Sequence, residues 1–311
     1  MSIKHKAMSD LIPTDVIHFG MERKVVANMT LESWDEIPHS CMTYKPIITK
    51  FLAELKKINE SRSADDKITV NTALLKIISE GLKKAPLMNS HLEFDRHTVH
   101  GKLMLYDEIN VTMPMSLPND VMMSFNVKDV GNKSMTEIKE TIEDIIKRGE
   151  NSNLNEVLFD VSLDNTVGKL LKGEVRKTLG RLIGAHFGES KISRLKGQEK
   201  KEYLSIPESE RLTMKDIEQG TITISNIGSL YKEWRGECTL LEVIPPQTVA
   251  IGIASIGKEP VVNKDNEIVI ESVLPFCISF DHKALDAHDI IPFIKHLDEI
   301  FANPEVLHEW L

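Results

Sequence analysis

The chain has 311 residues, enough to bury a full core as one large domain or two small ones. A hydrophobic share of 41% and a charged share of 27% fit a soluble globular protein, and a formal net charge of −9 argues against a nucleic-acid binder. Cys41, Cys238 and Cys277 lack metal-site spacing, no run approaches the roughly 18 apolar residues of a membrane span, and the opening Met1–Lys6 lacks the apolar core of a signal peptide. A cytoplasmic protein without a metal is expected.

In chain order, residues 1–20 are mixed in character and read as an arm that packs on the body or on a neighbour. Val25, Val26 and Met29 sit at helical spacing and predict a helix from Met21 to about Trp34, ended by Pro38. A short strand is expected at Cys41–Tyr44. Pro46 suits a first helical turn, and Ile47, Ile48, Phe51, Leu52 and Leu55 share one face, so a helix is predicted over 46–59. Beyond a polar loop, Leu74, Leu75, Ile77, Ile78 and Leu82 mark a second helix at about 71–84. Strands are read across 97–106, 109–115 and 121–127. Ser134-Met135-Thr136-Glu137 is a capping box that opens a helix running to about Arg148.

An amphipathic period at 167–183 sets Leu170, Leu171 and Leu182 against a face bearing Lys169, Lys172, Arg176 and Arg181. Such a helix can lie on an anionic membrane or bind acidic groups, but a helix packed on the body with a solvated basic face is the simpler reading. Lys191–Lys201 reads as a charged, mobile loop. Strands are expected at 221–227, 249–253, 259–262 and 267–270. The apolar run Pro275–Phe280 reads as a buried strand ending on Asp281-His282, and a new helical period starts near Asp286 with Ile290, Phe293, Leu297 and Ile300 on its apolar face. This order delivers an imidazole to the end of a strand, held rigidly within reach of a cleft. On its own such a histidine is more often satisfied by a strand-end carbonyl, because perturbed histidines mark sites only probabilistically.

The surroundings carry more. Asp281-His282-Lys283-Ala284-Leu285-Asp286-Ala287 resembles the DHRxxDG signature of the catalytic domain of 2-oxo acid dehydrogenase complex acyltransferases, the dihydrolipoamide acyltransferase family, whose fold and histidine are shared with chloramphenicol acetyltransferase. The histidine and both aspartates match, while Lys283 replaces arginine and Ala287 replaces glycine. Gly220 through Gly228 resembles the family's G-x-[FT]-T-I-[ST]-N-[LI]-G strand, and Pro245-Pro246-Gln247 before Val249–Ile253 resembles its N-P-P-Q-x-A-I-L-G strand. Nearer the start, the arginine-bearing helix with its Pro38-His39 step and Pro86-Leu87-Met88-Asn89 are similar to further family blocks.

The resemblance implies an α+β, chloramphenicol acetyltransferase-like fold, a mixed β-sheet with helices packed on one face. It implies a coenzyme A-dependent acyltransferase with a thiol acceptor such as dihydrolipoamide, His282 as general base and Ser225, 57 residues earlier, steadying the tetrahedral oxyanion. The ring's own backbone carbonyl is expected to orient the imidazole, leaving Asp286 to pair with Arg23. Asn226 and Gly228 are expected to shape the turn after Ser225, Gly228 through a positive φ. His39, His91, His97, His100 and His288 have no partner pattern and read as structural. A homotrimer with each site at a subunit interface is implied, and the final segment, 303–311, resembles one that joins trimers into larger shells.

Beyond those two substitutions, the chain departs from the family pattern in its layout. A segment at about 151–211 looks inserted into a catalytic domain of 21–311, and no lipoyl or peripheral subunit-binding domain is expected, so a lipoyl group would come in trans from a lipoyl-domain protein. Two other readings stand beside thiol acylation. One is a free-standing acyltransferase acting on a small-molecule hydroxyl or amine; the other is an inactive structural or assembly subunit. Neither Lys283 nor Ala287 removes the base, which favours an active enzyme.

Overall fold

The computed structural model of the protein describes residues 13–117, 121–159 and 194–311. Its elements run α1 (Met21–Glu36), β1 (His39–Tyr44), α2 (Thr49–Glu60), α3 (Val70–Lys84), the hairpin of β2 (Ser90–Asp95) and β3 (His100–Leu105), β4 (Val111–Leu117), β5 (Val121–Val127) and α4 (Met135–Glu150). Then follow α5 (Gly197–Ser205), the single turn α6 (Met214–Ile217), β6 (Ile222–Asn226), β7 (Val249–Ile253), the hairpin of β8 (Gly257–Val262) and β9 (Ile268–Val273), β10 (Phe276–Asp281) and α7 (Ala287–Ala302). The basic amphipathic period at 167–183 lies outside the described residues.

Six strands form a mixed sheet in the order β1-β10-β7-β6-β4-β5. Only β7 with β6 and β6 with β4 pair in parallel; the other neighbours are antiparallel. Period-two alternation then sorts side chains to two faces. Val111, Met113 and Met115 of β4, Ile222 and Ile224 of β6, and Phe276, Ile278 and Phe280 of β10 join one core with Phe51 of α2, Leu74 of α3, Ile138 of α4 and Phe293 of α7. These four helices, α2, α3, α4 and α7, thus cover one face, in an α+β arrangement. Full burial of each of these large side chains stabilises the fold by about 1.5–3 kcal/mol. Gly81 lets α7 close on α3, since a Cβ there would meet Leu297 Cδ1 at 2.5 Å.

The other face is covered near its middle by an irregular segment instead of a helix. Val243 packs with Ala250 of β7 and Ile37, and Leu241 N donates to Ser279 Oγ at 3.0 Å. Toward β4 this face is polar. There the buried Gln247 accepts from Thr223 Oγ1 at 2.6 Å and donates Nε2 to Gly220 O at 2.8 Å.

Several local expectations shift. Helix α2 begins at Thr49 and not at Pro46, because Ile47 bridges to Val273 and Ile48 N donates to Ser272 O at 2.8 Å, holding this stretch extended against β9. Strand β2 is an addition to the expected strands: Leu92 and Phe94 alternate with His91, Glu93 and Asp95, and the run pairs antiparallel with β3. Residues 197–205 are helical and not a loop. The Ser134 capping box is present in full. At the C-terminus, Trp310 packs on the main core and lies over Lys76 Nζ at 6.0 Å.

The described ends of the chain around 160–193 are tied together. Glu156, only 4% exposed, accepts from Leu195 N at 2.9 Å and Arg194 Nη2 at 2.8 Å, and Leu212 N donates to Ser152 Oγ at 2.6 Å. The chain runs toward 160–193 from α4 and returns into α5, while α4 and α6 pack on β5, the sheet edge opposite β1.

Candidate active site

Strand β10 is buried along its whole length and places His282 one residue past its end. The turn that follows is held by backbone bonds. His282 N donates to Pro38 O at 3.1 Å, and Ala284 N and Leu285 N both donate to Asp281 O. Imidazole Nδ1 lies 3.0 Å from Leu285 O and 3.3 Å from Asp286 Oδ1. Both partners are acceptors, so the neutral ring carries its hydrogen on Nδ1 and presents the lone pair of Nε2. The orienting carbonyl is therefore that of Leu285, three residues on, and not the ring's own. With its side chain 52% exposed, the imidazole is reachable from solvent.

Lys283 clamps this turn, a role its sequence position did not announce. Its Nζ donates to Glu36 O at 2.8 Å and pairs with Asp281 Oδ2 at 3.3 Å, while its backbone N donates to Asp281 Oδ1 at 2.9 Å. Asp281 is 2% exposed, so the Lys283 ammonium is what balances a buried carboxylate. Lys283→Met is expected to lower stability by about 1–3 kcal/mol by leaving that carboxylate underpaired. Urea unfolding reads this directly, and an unchanged midpoint would show that Asp281 is satisfied without the ammonium. A small cleft lined by Glu36, Ile37, Phe94, Pro246, Asp281 and Lys283 opens beside the clamp.

Ser225 belongs to the opposite, polar face of β6 and is half-buried. Among the described residues its hydroxyl has no hydrogen-bond partner, so it is not a strand hydroxyl satisfied by a nearby carbonyl. Its neighbour in register on β7 is Gly252, which has no side chain to cover it. Asn226 ties the strand end down, donating Nδ2 to Asn71 Oδ1 and accepting from Ser229 N. Gly228 does not adopt a positive φ; among the described glycines only Gly197 does. It is needed for close approach, because a Cβ there would lie 2.3 Å from Ala254 O. Gly228→Ala is therefore expected to destabilise the fold by about 1–3 kcal/mol, the range for overpacking a filled site. A thermal midpoint equal to wild type would show that the 227–229 turn yields freely.

Within one chain the site residues do not converge. Ser225 is level with Gly252, Gly252 is level with Cys277, and Cys277 stands five residues before His282. At about 3.3 Å per residue and 4.8 Å per strand step, Ser225 and His282 are roughly 20 Å apart. Among the described residues no ion pair joins Arg23, exposed on α1, to Asp286, whose carboxylate faces the imidazole. His39 supports the site from below: burial holds its pKa under the usual range, and its Nε2 accepts from Val243 N at 3.1 Å. Donor atoms of Asp286, His288 and Asp289 lie within 4.8 Å of one another, the one such group among the described residues, at the exposed start of α7.

A mixed six-stranded sheet with helices on one face and a histidine just past its buried antiparallel strand is the fold of acyltransferase catalytic cores. The structure superposes on dihydrolipoamide acetyltransferase of Azotobacter vinelandii with a TM-score of 0.68, 16% identity and 99% of each chain covered. The cubic core of the pyruvate dehydrogenase multienzyme complex gives the same score, identity and coverage. In sequence, the dihydrolipoyllysine-residue acetyltransferase component of the pyruvate dehydrogenase complex of Rickettsia prowazekii is 20% identical over 288 residues, 92% of this chain and 53% of that protein. The chain spans about half the length, or less, of the curated relatives it matches. The model of the 2-oxoacid dehydrogenases acyltransferase (catalytic domain) family matches residues 13–159 and 192–309. The chain belongs to that family. The match breaks at 160–191, inside the segment that looked inserted from sequence.

Proposed function

We propose that the protein moves an acyl group between coenzyme A and a thiol acceptor such as dihydrolipoamide, with His282 as general base. The observation that carries this reading is the imidazole fixed through Nδ1 by Leu285 O, with Nε2 free at an exposed strand end. Nε2 takes the proton of the incoming thiol, and its sulfur adds to the thioester carbonyl. Ser225 donates its hydroxyl to the oxyanion so formed. Collapse breaks the old carbon–sulfur bond, and the departing thiolate recovers the proton from His282. The Azotobacter vinelandii enzyme has had a serine, a histidine and an asparagine four residues beyond it investigated for roles in its mechanism. His282 and Asp286 stand at the same interval here.

Because Ser225 and His282 are far apart in one chain, the site is completed by a second copy, in a homotrimer whose interfaces each hold one base and one hydroxyl. Exposed Leu31 and Trp34 on α1, and Val262, Ile268 and Ile270 on the β8–β9 hairpin, supply apolar surface for such contacts. The likeness to a cubic core supports assembly beyond the trimer, and a lipoyl domain in trans would bring the acceptor. The break in the family match at 160–191 favours one second reading, transfer to a small-molecule hydroxyl or amine.

Release of free coenzyme A thiol from acetyl-coenzyme A, with dihydrolipoamide as acceptor, tests the proposal. Turnover with dihydrolipoamide supports the thiol reading. Turnover only with a panel of alcohols and amines moves the protein to the second. A folded oligomer that neither turns over nor binds coenzyme A is no acyltransferase.

A further inference from the structure

The sheet face turned away from the helical core holds, at its β1–β10 end, a pair of thiols that the acyl-transfer chemistry does not use. On β1, Cys41 stands opposite Ser279 of β10, and Cys277 stands opposite Thr43, so the two cysteines are diagonal neighbours across the strand pair. Their sulfurs are 3.2 Å apart. The Ser279 hydroxyl lies beside the pair, 3.6 Å from Cys277 Sγ and 3.8 Å from Cys41 Sγ, and does not separate the sulfurs. The two differ sharply in access: Cys41 is exposed and Cys277 is buried. Buried cysteines usually fill space as small hydrophobes, but an exposed one on an edge strand fills nothing.

We propose that Cys41 and Cys277 form a peroxide-sensitive dithiol, in which Cys41 is oxidised first and Cys277 resolves it into a β1–β10 disulfide. The Cys41 sulfur takes an oxygen from a peroxide, breaking the O–O bond and giving a sulfenic acid and water. The Cys277 sulfur then attacks the sulfenic sulfur. The S–S bond forms, the S–O bond breaks, and the departing hydroxide leaves as water with the Cys277 proton. Two thiols and one peroxide become one disulfide and two waters.

The environment sets this order of events. Burial pushes the Cys277 thiol up to about 12, with the neighbouring Cys41 and Cys238 adding to the rise, so Cys277 does not compete for the oxidant as a free thiolate. Cys41 meets solvent directly. Closing the sulfurs to the roughly 2.05 Å of a disulfide needs a movement of about 1 Å. Strand β1 can supply it, because it is an edge strand with no strand paired on its outer side among the described residues. The third thiol, Cys238, is held on the covering segment, where its Sγ donates to Leu240 O at 3.3 Å. The bond would join the two strands that flank the His282 turn, and it forms whether or not the chain transfers acyl groups.

The test is hydrogen peroxide treatment of the reduced full chain, then alkylation, non-reducing digestion and peptide mass mapping. A Cys41–Cys277 linked peptide is expected in most chains, to be reversed by dithiothreitol and absent from Cys41→Ser. Cys238→Ser is expected to leave it unchanged. Because Cys277 is buried in the central sheet, these two variants and prior alkylation of Cys41 carry the test without disturbing it. Oxidation of Cys41 to a sulfinic acid with no linked peptide would overturn the proposal. So would a main product linked through Cys238, or a cross-link that persists in Cys41→Ser.

Discussion

Replacing His282 with alanine is expected to lower the rate of acyl transfer from acetyl-coenzyme A by about 10²–10⁴-fold, the range a positioned general base supplies. The fold should scarcely notice. The ring is half-exposed, and the Asp286 carboxylate beside it is exposed as well. Surface substitutions of this kind usually shift stability by within about 0.5 kcal/mol. Thiol-release kinetics beside a thermal melt separate the two effects. A variant that melts like wild type and keeps its rate would remove His282 from the chemistry. A variant that fails to fold would mean that the turn depends on the ring, and His282→Gln would then carry the comparison.

Ser225→Ala comes second in size, at about 10²–10³-fold in kcat, as for other lost oxyanion donors. Its KM should hold, because the hydroxyl is asked to act only when charge has developed on the oxygen. Among the described residues the hydroxyl has no partner to lose, so stability should be unaffected. The pair of variants also tests where the site is built. Subunits carrying His282→Ala and subunits carrying Ser225→Ala are each expected to be nearly inactive alone. Mixed before assembly in equal amounts, they should recover activity at about a quarter of the interfaces of a cyclic trimer, those that receive both intact residues. No recovery in well-mixed oligomers would place both residues of each site in one chain, against the roughly 20 Å that strand geometry puts between them.

Much of this molecule was legible because its signals are local. The 3.6-residue period of α3 and α7 and the capping box at Ser134 are written within a few turns of chain, and they appear where expected. The runs around Ser225 and His282 each combine a strand with its closing turn, so residue order alone located both side chains and pointed to the family. Where local signals were weak or misleading, partners distant in sequence prevailed. Pro46 and Ile47 look helical, yet β9 captures them as an extended bridge. Ser90–Asp95, a run of only six residues, is held as a strand by β3 and by a bridge from His91 to Gln247. Gly228 suggested a turn with positive φ, but the requirement comes from the Ala254 carbonyl pressed against it, 26 residues away.

The sequence by itself determined the fold class, the positions of the strand-end histidine and of the unpartnered hydroxyl, and the strands that carry them, because periodicity and motif order are properties of neighbouring residues. Only the tertiary structure decided which carbonyl orients His282, that Lys283 holds the turn to α1, that two cysteines 236 residues apart touch, and that Ser225 and His282 stay apart in one chain. Each of these depends on strand register, and register is set by how whole strands bury their apolar faces against each other and the helices.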